Sequence, residues 1–151
     1  MLTTAQFCYY TDQAIDALIA IVGELGDDLA NRRPELPGAN SPYSILTHCL
    51  GVMEYWAGHV VSGREDHRDR PAEFTASGQV SDLIARAERA REQFNADVAA
   101  ADPMAAPRSA ADLDTPASAP VTQGHVLMHV YEELAQHLGQ LEITRDVLRP
   151  R

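Results

Sequence analysis

A carboxylate and an imidazole stand four residues apart in Glu133-Leu-Ala-Gln-His137. On a helix that spacing sets them side by side, one turn apart. Such a pair can grip one metal ion from a single face. The same step continues backwards, so that His125, His129, Glu133 and His137 form an i+4 ladder. Each step overshoots a full turn by about 40°, which puts His125 and His137 about 120° and about 18 Å apart, too far to share an ion. Only neighbours can share one: Glu133 with His137, or His129 with Glu133. A Glu and a His at this spacing equally describe a weak ion pair on a helix surface. A metal site therefore needs a third donor from another part of the chain.

The other histidine-bearing helix offers His48 and His59. Eleven residues separate them, so they point nearly the same way but lie about 16 Å apart. His48 sits within the apolar run Ser44-Ile-Leu-Thr-His-Cys-Leu-Gly-Val-Met53. An imidazole there must find a partner or cost stability. It reads either as a core histidine bonded to a carbonyl or carboxylate, or as a ligand. His59 and His67 read as surface residues. Cys49 points about 100° away from His48 and reads as a small core residue. The chain has no Gly-x-Ser-x-Gly elbow, no phosphate-cradling glycine loop and no Cys-x-x-Cys.

The elements that must position these groups are helical. Thr3 and Gln6 have capping-box spacing, and Phe7, Ala14, Ile15, Leu18, Val22 and Leu25 follow at helical intervals as far as Gly26. A short turn over 27–32 and a loop over 33–40, broken by Pro34, Pro37 and Gly38, come next. Ser41-Pro42 is a strong start, with Ser as N-cap and Pro at the first helical position; this second helix should run to about Ser62 and stop at Gly63. Residues 64–78 read as a loop with room for one helical turn. A third helix covers about 80–101 through Val80, Leu83, Ile84, Ala87, Phe94 and Val98. The proline-rich stretch 102–120 reads as a long crossover, either a plain linker or a lid. A fourth helix runs from about Thr122 to Leu148. The fold class is therefore all-α, a four-helix bundle with long crossover connections, in one domain spanning 1–151.

Composition excludes several functions. The net charge of −10 argues against nucleic acid, because phosphate contacts need clustered positive charge. No apolar run is long enough to cross a bilayer, and the first residues carry no basic n-region. Cys8 and Cys49 make no disulfide framework, so a reduced, cytoplasmic protein is expected. Arginine without lysine, together with abundant alanine, suggests a GC-rich bacterial genome.

Two blocks carry a resemblance. Ser41-Pro-Tyr-Ser-Ile-Leu-Thr-His48, continued by Gly51-Val-Met-Glu-Tyr-Trp56 and Gly63, resembles the second helix of the DinB/YfiT-like superfamily. His129-x-x-x-Glu133-x-x-x-His137-x-Gly139-Gln140 resembles its fourth. The match is closest to the actinobacterial mycothiol-dependent S-transferases and covers most of the chain. Many members hold a divalent metal with three histidines, and the mycothiol-dependent branch includes His-Glu-His sites. The resemblance thus implies His48, Glu133 and His137 as ligands, with His129 outside the set.

It also implies the chemistry. Three protein ligands leave a coordination position open. A low-molecular-weight thiol, mycothiol as co-substrate, would bind there as a metal-bound thiolate and attack an electrophilic small molecule. Zinc is the first expectation for the ion, with nickel or iron as alternatives. Tyr55 and Trp56, two turns beyond His48, either wall the pocket or are ordinary core aromatics. Gln140 is placed to orient a ligand or a water. The implied setting is detoxification by a homodimer, without nucleic acid or membrane as partner. The alternatives are a mycothiol-dependent isomerase, a metal- or ligand-binding stress protein without turnover, and a dimeric structural protein with a vestigial site. The isomerases usually carry a further C-terminal domain, for which 151 residues leave no room.

Overall fold

The protein is described here by a computed structural model covering residues 3–111, 113 and 120–149. Thr3 opens the first helix: its hydroxyl accepts from the Gln6 backbone at 3.2 Å, and the Gln6 side chain accepts from the Thr3 backbone at 3.0 Å. Helix α1, Thr4–Ala30, kinks at Gly26 (φ 63°). That φ is open to glycine and strained for other residues. The helix resumes beyond the kink, so most of the turn expected over 27–32 is its last turn.

Ser41 caps α2, Pro42–Val52, accepting from the Ser44 backbone at 3.2 Å with Pro42 in the first turn. The helix does not stop there. It continues through Met53–Val61 as a π-helix, whose backbone bonds reach one residue further, and ends at Gly63 (φ 76°). The continuous run to about Ser62 was expected, but the widened turn was not.

A single turn, α3, Arg70–Glu73, lies within the expected 64–78 loop. Asp69 starts it by accepting from the Ala72 backbone at 3.1 Å. Helix α4, Val80–Ala100, is started from a distance, because Asp27 of α1 accepts from the Val80 backbone at 2.7 Å. Thr122 caps α5, Gln123–Leu148. Residues 102–111 of the crossover form turns, and the Arg108 and Ser109 backbones donate to the Val60 carbonyl. The remainder of that expectation, at 112 and 114–119, lies outside the described residues.

The four long segments form an all-α bundle, with no strand among the described residues. Helix α1 packs on α4 and α5, while α2 and its π continuation pack on α4, α5 and each other. Leu18 and Val22, Leu46 and Leu50, Phe94, and Leu134 and Leu141 are fully buried where these faces meet. Burying a side chain of this size stabilises the fold by about 1.5–3 kcal/mol. The result holds the middle of α2 against the middle of α5, which is where the candidate donors lie.

Candidate metal centre

His48 is almost wholly buried in α2, at 3% exposure. Its Nδ1 lies 2.7 Å from Glu73 Oε2, and its Nε2 lies 3.4 Å from Glu133 Oε2 on α5. His137, one turn beyond Glu133, brings its own Nε2 to 3.4 Å from the same Glu133 oxygen. The two imidazoles meet edge to face, with centroids 4.7 Å apart. One donor atom from each of His48, Glu133 and His137 lies within 4.8 Å of the others. Among the described residues no other set of three or more His, Cys, Asp or Glu gathers this closely.

This donor set fits a divalent ion. At metal–ligand bonds of about 2.1 Å, the edge of a tetrahedron is about 3.4 Å, the spacing that both imidazoles already keep from Glu133. Both rings are also turned correctly. A carboxylate accepts at His48 Nδ1, and the Gln140 amide oxygen accepts at His137 Nδ1 at 2.8 Å. With Nδ1–H donating outward, each ring presents its Nε2 lone pair inward. Two lone pairs aimed at a carboxylate need a cation between them.

A proton can serve as that cation. The bond to Glu133 raises the His137 pKa above its ordinary value, against the opposing effect of burial. His137 first, and then His48, hold the Glu133 carboxyl well below the usual carboxylate range.

His129 stays outside the set. Its Nε2 is 3.9 Å from the other Glu133 oxygen, and its ring meets the Trp56 edge at 5.0 Å. His59 is half-buried rather than on the surface as expected. Its Nδ1 lies 2.6 Å from the Arg64 carbonyl, and its ring stacks on Tyr55. The π-helix carries Tyr55, Trp56 and His59 together, so their contacts depend on a register that side-chain periodicity does not reveal. His67 is exposed, as expected.

Above the cluster lies a cavity of about 440 Å³, within the range of small-ligand sites. His48 and Glu133 line it with Val52, Tyr55, Trp56 and His129, and Asp66, Arg68 and Arg70 complete its wall. Gln140 is exposed and does not line this cavity; its contact is with His137. Burial pushes the Cys49 thiol far up, and burial with Asp12 nearby raises that of Cys8. Neither cysteine is a ready nucleophile.

Sequence reasoning missed Glu73, Arg68 and Phe74. Arg68 donates to both oxygens of Glu73, at 2.7 and 3.1 Å, and Phe74 stacks on His48 at 4.9 Å. The one signal was Asp69-Arg-Pro71, an N-cap followed by proline in the first turn.

The model of the mycothiol-S-transferase family matches residues 7–150. The chain belongs to that family. No curated protein sequence matches it. Among solved structures it is similar to a conserved protein from Enterococcus faecalis, at TM-score 0.71 and 14% identity over 98% of each chain. At that identity the likeness speaks for the fold alone, and it agrees with the bundle expected of a mycothiol-S-transferase. No described helix of this family member is long and apolar enough to cross a membrane.

Proposed function

We propose that the protein is a metal-dependent thiol S-transferase that uses mycothiol or a closely similar small thiol. The observation that carries the reading is the pair of inward-turned imidazoles, each with Nε2 3.4 Å from one Glu133 oxygen, with His48 and Glu133 lining a ligand-sized cavity. Family membership supports the transfer of a thiol.

His48, Glu133 and His137 would hold the ion. When bound, a divalent ion supplies the positive charge that lets a thiol lose its proton near neutral pH. The chain sets how much of that charge remains. Glu133 contributes one negative charge, whereas the nearby charge on Glu73 is already matched by Arg68. With a divalent ion bound, one net positive charge would be left, matching a single thiolate. Because the buried Cys49 and the raised Cys8 are poor thiolates, the attacking sulfur belongs to the co-substrate. Its proton passes to water. Its lone pair forms the new S–C bond as the acceptor's leaving group departs with the old bonding pair. Tyr55 and Trp56, packed edge to face at 4.9 Å, form one aromatic wall of the cavity, against which the acceptor would lie. Two imidazoles and one carboxylate suit zinc first.

The test is metal analysis of protein purified without a histidine tag, followed by thiol consumption with chlorodinitrobenzene or bromobimane as acceptor. About one ion per chain and thiol-dependent turnover are expected. Metal retained without any thiol consumption would leave a binding protein. Absence of metal even after incubation with zinc would refute the proposal.

A further inference from the structure

The side of His48 that faces away from the cluster is built as deliberately as the side that faces it. Glu73 is a carboxylate at 6% exposure, and a charge so placed is costly unless paired and hydrogen-bonded. Arg68 pairs with it through Nε to Oε1 and Nη2 to Oε2. Oε2 also accepts from His48 Nδ1 at 2.7 Å, within the range of charge-assisted bonds. Phe74, the next residue, lies against the ring face at an interplanar angle of 29°. The backbone opposite is Gly51, where a Cβ would overlap Glu73 Oε1 and come within 3.2 Å of Arg68 Nε. The one-turn helix α3 and the residue after it thus touch His48 through a hydrogen bond and a stacking plate, and α2 leaves a glycine-sized space for the Glu73 carboxylate.

We infer that the Arg68–Glu73 pair is a positioning device for His48, fixing the imidazole in the Nδ1–H form so that Nε2 faces Glu133 and His137. A neutral imidazole has two tautomers, and the hydrogen bond at one nitrogen decides which nitrogen is free to bind a metal. A carboxylate can only accept. Arg68 Nη2 also faces Nδ1, at 3.4 Å, and can only donate; opposite a neutral ring the much shorter 2.7 Å contact with Glu73 decides, and it selects the proton at Nδ1. Arg68 grips both oxygens of Glu73 and keeps it aimed, and its guanidinium rests over the Tyr55 ring at 5.6 Å, tying the device to the cavity wall. The purpose of the device rests on the metal reading above, but its geometry does not.

Two measurements test this. Nitrogen-15 NMR of metal-free protein should show His48 with a single ring proton, on Nδ1. In Glu73→Gln the preference should weaken, because an amide can donate as well as accept. The same variant should bind zinc about 10–100-fold more weakly in a competitive chelator titration, with circular dichroism unchanged. Wild-type protein with the His48 proton on Nε2, or E73Q with wild-type zinc affinity, overturns the inference. Should E73Q fail to fold, the wild-type spectrum alone decides. Wild-type protein that binds no zinc overturns the proposed function instead, and the tautomer still answers the positional question.

Discussion

Replacing Gly51 by alanine sets two effects against each other. In a helix interior, alanine is ordinarily favoured over glycine by about 1 kcal/mol. At Gly51, however, the new Cβ would overlap Glu73 Oε1 and lie 2.8 Å from its Cδ. Carbon–carbon contacts settle near 3.5–4.0 Å, so the carboxylate must retreat by about 1 Å. Its 2.7 Å bond to His48 Nδ1 then exceeds hydrogen-bond range. Loss of a hydrogen bond to a charged group costs about 1.5–3 kcal/mol. The helix gain offsets part of that, leaving a net loss of about 0.5–2 kcal/mol. For a chain of this size that is a fall in Tm of roughly 1–8 °C. Zinc affinity should drop more visibly, by about 10–100-fold, because the ring loses its orientation. Gly139 is the control: it lies in α5 between His137 and Gln140, and a Cβ there meets nothing within 4 Å. Gly139→Ala should stabilise by up to about 1 kcal/mol and leave zinc binding unchanged. Calorimetry and a chelator competition on both variants complete the experiment. A Gly51→Ala protein that melts higher than wild type and binds zinc equally well would refute the placement of Glu73.

Glu133→Gln keeps the shape and removes the charge, so zinc affinity by the same titration should fall at least about tenfold, while helicity by circular dichroism is retained. The pH dependence follows from the sign of each shift. His137 is raised from its ordinary 6.5, so its contribution to metal-free stability is complete below that value and is lost as pH rises through its folded value. Glu133 is lowered from 4.5, so its contribution is present above that value and is lost as pH falls towards its depressed one. Because an ion must displace the His137 proton, the gap in Tm between zinc-loaded and metal-free protein should widen as pH rises from 5 to about 8. Paired thermal melts across that range check it; a gap that shrinks refutes the assignment. Arg64 is the ion-pair partner of Asp97, a carboxylate at 5% exposure whose Oδ2 has no hydrogen-bond partner among the described residues. Arg64→Met should cost about 3 kcal/mol in urea unfolding, the low end for a broken buried pair because the arginine is 39% exposed, and adding Asp97→Asn should recover most of it.

The helices were legible because what makes them is local. Thr3 with Gln6, Ser41 with Pro42 and the stop at Gly63 act between neighbours, and apolar spacing shows which faces turn inward. The side-by-side placement of Glu133 and His137 is likewise a property of helix geometry and of nothing else. For His48 the residues alone left two readings, core imidazole or ligand. The fold satisfies the demand of the first with Glu73 at Nδ1 and turns Nε2 towards Glu133, which lies 85 positions away in sequence. Only tertiary structure could decide that contact, because it depends on the rotation and depth at which α2 and α5 pack. Arg68, Glu73 and Phe74 were hidden for a related reason: they sit in and beside a single turn with no repeating pattern, and only burial against α2 gives them a task. The π register that gathers Tyr55, Trp56 and His59, and makes a surface expectation for His59 wrong, is settled by packing too, since a widened turn leaves no mark on residue spacing until neighbours press on it.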